Sequence, residues 1–486
     1  VGGGVWGAPP PQNPQNPPPP PPLGGVGGGF WGGGGGPSLP LPSPHNPPQP
    51  MEDNMAIYDR EAEQMDRAEL AQLQLERLQA TLHRVYKNVK FYKKKFDDLG
   101  FLPEDCLSLE DLNHLPFTTR HDLARAYPYE MFAVPLREVV RIHSSTGSPG
   151  APIVMGYTAR DLKHWARLAA RVLTAAGVDR DDVVQVTLSY GLLTSAFGLH
   201  YGVELLGASV IPIGPGGTAR QVQIMRDYRT TVLISTPGYA LIIADQLDRM
   251  GMDAKEFFLK VGLLAGEPWT EEQRAEIESR LLLTALDNYA LSEAMGPGVA
   301  GECEHRVGMH LNEDHFLAEI IDPTTGEALP AGQVGELVLT TISREATPLV
   351  RFRTGDLTSL EYAPCACGRT LARLSRIQGR ADQVVVVKGI NIFPERVGQI
   401  LASFAGEEPV YQLVLGREGN LDFLEVRIEV REALFFDKMT LQRELVYKLS
   451  HKLAQGIGVT PRVKLVEPGS IRRDQEISPL VIDLRH

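Results

Sequence analysis

The sequence predicts an α/β protein with a large N-terminal domain of mixed sheets flanked by helices, and a small C-terminal α+β domain. Two observations carry this. Short apolar, β-branched runs at 183–188, 208–213 and 231–235 are separated by helical stretches, the βαβ pattern of a mostly parallel sheet. Beyond Gly379-Arg-Ala-Asp382, runs at 384–387, 413–415, 424–430 and 463–466 alternate with helical stretches at 394–404 and 434–454, enough for a separate domain of about a hundred residues. The expected organisation is a tail over 1–50, a large domain over 51–378 and a small domain over 379–486.

Residues 1–50 contain no Lys, Arg, Asp or Glu and are dominated by Gly, Pro, Asn and Gln. Such a segment buries too little apolar surface to offset its ordering entropy, so it is expected to be disordered, with polyproline character over 17–22. It reads as a proline-rich ligand for a partner domain, or as an inert tail or over-extension ahead of a start at Met51 or Met55. Next, Leu70, Leu73, Leu75, Leu78, Leu82, Val85 and Tyr86 recur near a helical period, predicting amphipathic helix over 59–95. A Ser/Gly-rich loop and a helix over 161–176 precede the three strand runs. Function is expected at loops off the strand ends. After residue 300, shorter strands are predicted over 316–321, 334–341 and 349–353, with turns such as Pro323-Thr-Thr-Gly326.

A chain of 486 residues is long enough for more than one domain, and its formal charge of −12 argues against a nucleic-acid surface. The expected partner is a small molecule. Four cysteines make no disulfide framework in so long a chain, which fits a reducing compartment. No apolar run reaches the roughly 18 residues that a membrane helix needs. No signal peptide opens the chain, and a cytoplasmic location is expected. The oligomeric state is open, a homodimer being one option.

Between His143 and Thr158, Ser144, Ser145, Thr146, Gly147, Ser148 and Gly150 supply small residues and hydroxyls. Glycines let backbone N–H groups approach phosphate oxygens, and Ser and Thr side chains donate further hydrogen bonds. The loop is not the P-loop of nucleotidases, because Ala151 and Pro152 follow its last glycine. A plain turn between two strands would carry the same composition.

Cys303, His310, Cys365 and Cys367 supply the four ligands of a closed tetrahedral Zn2+ site, structural rather than catalytic because no coordination position stays open. His305 is a competing ligand, and two inert thiols in a tight turn are the alternative. Cys106 reads as a buried apolar residue.

Four ordered segments carry a wider resemblance: the Ser/Gly loop, Asn288-Tyr-Ala-Leu-Ser-Glu293 continuing to Gly298, Arg353-Thr-Gly-Asp356, and Gly379-Arg-Ala-Asp382. Flanking stretches fit the same pattern, among them Leu115-Pro-Phe-Thr-Thr119, Arg141-Ile-His143, Glu267-Pro-Trp-Thr270, Asp314-His-Phe316 and Gly389-Ile-Asn-Ile-Phe-Pro394. Together they resemble the adenylate-forming superfamily, and within it the phenylacetate-CoA ligase family, from about residue 57 to Arg485.

The resemblance implies ATP-dependent formation of an acyl-adenylate from an aromatic carboxylate, then displacement of AMP by the thiol of coenzyme A. It implies Glu293 as the Mg2+ carboxylate, although a helix-start carboxylate beside a capping Ser292 is the structural alternative. Tyr289 would face adenine. Asp356 would accept the ribose hydroxyls, or be merely a turn aspartate. Glu267, Pro268, Asn288 and Ser292 fall in the nucleotide-binding set. Arg380 and Asp382 match the hinge on which the small domain rotates between two poses, with Lys388 and Gly389 lining the pantetheine path in the second. Tyr190, Gly191, Gly214, Gly216 and Gly217 fall where the family binds its aromatic acid; ordinary sheet-to-helix packing would look the same.

Two departures qualify the implied activity. The family's Ser-Ser-Gly-Thr-Thr-Gly-Lys-Pro aligns with Ser145 to Pro152, so Pro149 removes one N–H and Ala151 stands where the lysine would be. The adenylation lysine of the terminal segment falls on Ile477, with Glu476 beside it. Loss of one such preorganised cation commonly costs about 10²- to 10³-fold in rate. The alternatives are therefore a ligase slow in adenylation, a non-catalytic nucleotide- or acyl-binding relative, and an adenylating enzyme that uses an acceptor other than coenzyme A.

Overall fold

The computed structural model describes residues 56–145, 152–382, 384–405, 409–430, 439–467, 470–471 and 480–485. These lie within the unit spanning Asn46–His486. The expected tail over 1–50 falls outside the described residues, as do Thr146, Gly147, Ser148, Gly150, Ala151 and Ile477.

The predicted opening helix is two principal helices, Arg67–Asn88 and Lys90–Leu99, after a short one at Arg60–Glu63. Asp66 caps the first by accepting from the Ala68 N–H at 2.8 Å, and Val89, in an extended conformation, separates it from the second. Leu78, Leu82, Val85, Tyr92 and Phe96 bury their periodic faces in a core shared with Trp165, Tyr289 and Phe352.

A nine-stranded sheet dominates the chain. From one edge its strands are Ser209–Ile211, Val183–Val186, Val232–Ser235, Val261–Leu264, Thr284–Leu291, Gly296–Glu302, Met309–Leu311, Arg373–Leu374 and Leu360–Glu361. The first five pair in parallel, as the βαβ pattern predicts, and the rest antiparallel. Thr284–Leu291 is thus the strand at which the sheet changes sense. The helix Ala159–Ala175 packs on the next strand, Gly296–Glu302, buried through Trp165, Leu168 and Val172.

A second sheet is antiparallel throughout: Phe316–Ile321, Gly335–Thr341, Phe352–Thr358 and Gly379–Arg380. The expected strand over 349–353 is displaced toward the C-terminus. Arg351 sits at φ 46, outside the extended region, and the Leu349 and Arg351 N–H groups bond to the Thr341 and Thr340 hydroxyls at 2.9 Å. Side-chain hydroxyls there take over part of the backbone ladder, beside the Thr341 N–H to Leu349 carbonyl bond of 2.9 Å.

Past residue 383, a hairpin of Val385–Val387 and Ile390–Ile392 leads into a four-stranded sheet ordered Arg462–Val466, Leu421–Glu429, Tyr411–Glu418, Val481–Asp483. With the helices Pro394–Ala405 and Met439–Ile457 it has its own core of Val397, Leu401, Leu413, Val426 and Leu453. No described helix is long and apolar enough to cross a membrane.

Candidate active site

Side chains alternate faces along a strand, so Asp287 and Tyr289 of Thr284–Leu291 share one face while Leu286 and Asn288 share the other. On the first face the Tyr289 hydroxyl donates to Asp356 Oδ2 at 2.6 Å. Asp356 is paired in register with Arg380, whose Nη1 donates to Oδ1 at 2.6 Å. Burial pushes the Asp356 carboxyl up, against the pull of the Arg380 guanidinium. Burial and the Asp356 charge also raise Tyr289, which keeps its proton and remains the donor. Asp356 thus accepts from two fixed donors at the mouth of a cavity of about 190 Å³ that both residues line.

A second ion pair borders this cavity. Thr119 caps the helix Arg120–Arg125, and the next residue, Arg120, donates from Nη1 to Glu293 Oε1 at 2.7 Å. Both are almost wholly buried, at 8% and 2% exposure. Glu293 follows Ser292, whose hydroxyl lies 2.7 Å from that of Thr194. Arg344 bonds the Glu293 carbonyl at 2.6 Å and the Ala294 carbonyl, fixing the turn. Among the buried lining atoms with no hydrogen-bond partner are Arg120 Nε and Nη2, Ser145 Oγ, and both amide atoms of Asn288. Unpartnered buried donors beside a cavity are what an oxygen-rich ligand would satisfy.

Arg380 also holds Asp382 with two bonds of 2.7 Å and the Thr354 carbonyl at 3.0 Å. Gly355, at φ 80, admits this closure: a Cβ there would stand 2.5 Å from Arg380 Nη2 and 2.6 Å from Asp382 Oδ2. The 385–392 hairpin turns at Lys388 (φ 53) and Gly389 (φ 72). Gly389 lines the cavity close to Gly266, where an added Cβ would stand 3.9 Å from Gly389 Cα, while Lys388 is exposed. Glu267 accepts from the Gly238 N–H at 3.1 Å, and its carboxyl is pushed up by burial.

Glu293, Asp356, Arg380, Glu267, Pro268, Asn288, Tyr289, Ser292, Ser145 and Gly389 therefore meet on one lining. Ser144 instead donates its N–H to the Leu192 carbonyl at 2.9 Å. The proposed acyl residues also lie elsewhere. Tyr190 packs edge-on to Phe197 and bonds His200 at 3.2 Å, and Gly214 stands beside it. Gly191, Gly216 and Gly217 are likewise absent from the lining, where Leu193, Thr194 and Ser195 of the same loop stand instead. Tyr190 is drawn into the aromatic cluster because its ring and its hydroxyl both find partners there. Sequence reasoning missed Arg120; a cation directly after the capping Thr119 was the signal available.

Away from this cavity, Cys303, His310, Cys365 and Cys367 converge, with all four ligand atoms within 4.8 Å of one another and all four residues buried. Cys303 Sγ lies 3.8 Å from Cys365 Sγ, and Cys367 Sγ 3.3 Å from His310 Nε2. A tetrahedron with Zn–S bonds of about 2.3 Å has edges of about 3.8 Å, so the donor set fits zinc. The Cys303 thiol and His310 hold Cys367 well below the usual thiol range. His305 is exposed and stands apart from the cluster.

The chain is similar to known proteins over most of its length. Residues 145–343 match the family described as AMP-binding enzyme, and residues 389–485 the AMP-binding enzyme C-terminal domain. A phenylacetate-coenzyme A ligase of Pseudomonas putida is 45% identical over 419 residues, covering 86% of this chain and 94% of the relative. Among solved structures, 2-hydroxyisobutyryl-CoA ligase with its acyl-adenylate and CoA in the thioesterification state gives a TM-score of 0.84 at 28% identity, over 91% of this chain and 97% of that one. The same ligase in its postadenylation state gives 0.65 at 28% identity, over 91% and 94%.

Proposed function

The chain belongs to the phenylacetate-CoA ligase family and is an ATP-dependent acid-thiol ligase; from that premise we propose that its acid is an aryl carboxylate and that its chemistry runs in the cavity between Glu293 and Asp356. The observation that carries the reading is convergence: Arg120, Tyr289, Glu293, Asp356 and Arg380, from separate segments, border one cavity.

In the first step a carboxylate oxygen attacks the α-phosphorus of ATP, an acyl-phosphate bond forms, and pyrophosphate leaves. In the second the coenzyme A thiol loses its proton, its sulfur attacks the acyl carbon, and AMP leaves. Asp356 would accept the ribose hydroxyls on the lone pairs that Tyr289 and Arg380 leave. Tyr289 and Trp269 would border the base. Glu293 Oε2, opposite the oxygen that Arg120 holds, would take Mg2+, whose charge offsets that of the phosphates. Arg120 is the cation in place to bind phosphate oxygens through Nε and Nη2, in a chain without lysine at 151 and 477. Adenylation is accordingly the slow step in this proposal. Zn2+ held by Cys303, His310, Cys365 and Cys367 would be structural.

The higher similarity to the thioesterification state supports reading the Gly389 to Gly266 approach as the thioester-forming pose, with Arg380 and Asp382 as the hinge. In that pose the 385–392 hairpin closes one wall of the cavity.

The test is incubation with ATP, Mg2+ and a panel of aryl acetates and benzoates, reading pyrophosphate with and without coenzyme A and the thioester by mass. Thioester formation with at least one aryl acid is expected. Turnover confined to aliphatic acids would remove the aryl assignment.

A further inference from the structure

Asn288 is 2% exposed, and neither its Nδ2 nor its Oδ1 has a hydrogen-bond partner. A buried carboxamide with both ends unmet destabilises the fold unless something else meets them, and a hydrophobic residue of similar size would carry no such cost. Asn288 also lines the cavity.

Its place in the strand separates it from the nucleotide side. Tyr289, bonded to Asp356, lies on one face; Asn288 lies on the other, two residues beyond Leu286. Leu286 belongs to an apolar cluster with Val172, Val186 and Leu188. Leu193, Thr194 and Ser195 line the same cavity. Thr194 and Ser195 already spend their hydroxyls, on Ser292 at 2.7 Å and on the Ser189 carbonyl at 3.4 Å. An amide with a free donor and a free acceptor therefore stands on this lining, on the strand face opposite Tyr289.

We infer that this wall receives the acyl part of the acid, and that the acid carries a neutral hydrogen-bonding group, a hydroxyl, which Asn288 reads; the inference rests on the aryl-acid ligase reading above. A hydroxyl can accept from Nδ2 while donating to Oδ1, so one group satisfies both ends of the amide. A charged substituent would have to be desolvated beside a buried amide with no counter-ion from Asn288, and is disfavoured. A site built to hydrogen-bond a hydroxyl rejects the analogue lacking it more strongly than an apolar pocket rejects an added one. Asn288 is thus a specificity-determining residue.

The experiment compares kcat/KM for phenylacetate and its 2-, 3- and 4-hydroxy isomers in the wild type and in Asn288→Leu. In the wild type one hydroxylated isomer should exceed phenylacetate by roughly 10- to 100-fold, and the variant should reverse that order. The four acids within twofold of one another in the wild type, or an unchanged order in the variant, overturns the inference while leaving the ligase reading intact. Asn288→Leu that weakens AMP binding and leaves the acid order unchanged would reassign the amide to the nucleotide, and also overturns it. If no acid is turned over, the ligase reading is what fails; calorimetric binding of the same four acids then decides the inference, with equal affinities in the two proteins counting against it.

Discussion

Arg380 and Asp356 face each other across paired strands, with Nη1 2.6 Å from Oδ1, while Tyr289 holds the other carboxylate oxygen at 2.6 Å. One aspartate thus links the nine-stranded sheet, the antiparallel sheet and the segment that leads into the small domain. Asp356→Asn keeps the shape and removes the charge. Hydrogen bonds to a charged group contribute about 1.5–3 kcal/mol, so AMP affinity by calorimetry should fall roughly 10- to 100-fold. Unchanged affinity would mean that the ribose does not dock on this carboxylate.

Arg120→Ala leaves the Glu293 carboxylate buried without its guanidinium. Breaking a buried pair from one side costs about 3–5 kcal/mol, so the denaturation midpoint should drop clearly. Arg120→Lys keeps the charge without the planar fork; it should recover part of the stability and little of the pyrophosphate release. Equal release by the lysine variant and the wild type would contradict the phosphate role given to Nε and Nη2.

Burial and the nearby Glu302 push the Asp287 carboxyl up to about 6 from 3.8. The folded state then binds more protons than the unfolded one between those values. The stability this contributes is complete below pH about 4 and is lost as pH rises through about 6. Asp287→Asn stays neutral throughout, so its stability should fall less than that of the wild type between pH 4 and 7, by up to about 3 kcal/mol. Parallel denaturation curves at pH 4.5 and 7 measure it; identical pH dependence would place the titration elsewhere.

Purified protein should hold one zinc per chain by elemental analysis, and Cys365→Ala should hold none and unfold at lower temperature. Chelation of the wild type should reproduce that loss of stability. Equal zinc content in the two proteins would sink the site.

Ile477→Lys restores the cation at the position where the family alignment places it. Pyrophosphate release should rise by up to about 10²-fold. A rate that does not move would show that the terminal segment does not deliver position 477 to the phosphates.

Much of the fold was legible because its signals are local. The runs at 183–188, 208–213 and 231–235 became parallel strands, and the period through Leu70 and Val85 became a buried helical face. Val89 and Arg351 were not legible: one breaks the opening helix and the other delays a strand, through backbone conformations that no residue type there demands. Nor was the Tyr190 to His200 bond legible, which holds Tyr190 off the cavity lining.

The sequence by itself determined the fold class, the order of the four motifs, a candidate set of thiols and imidazoles, and the absence of lysine at 151 and 477. Tertiary structure decided which groups meet. It brought Arg120 onto Glu293, 173 residues away, set Arg380 on Asp356, and left the Asn288 amide buried with neither end satisfied. Periodicity and residue chemistry are properties of neighbours along the chain. Pairing between distant segments depends on strand register and on the packing of whole sheets, which no short stretch encodes.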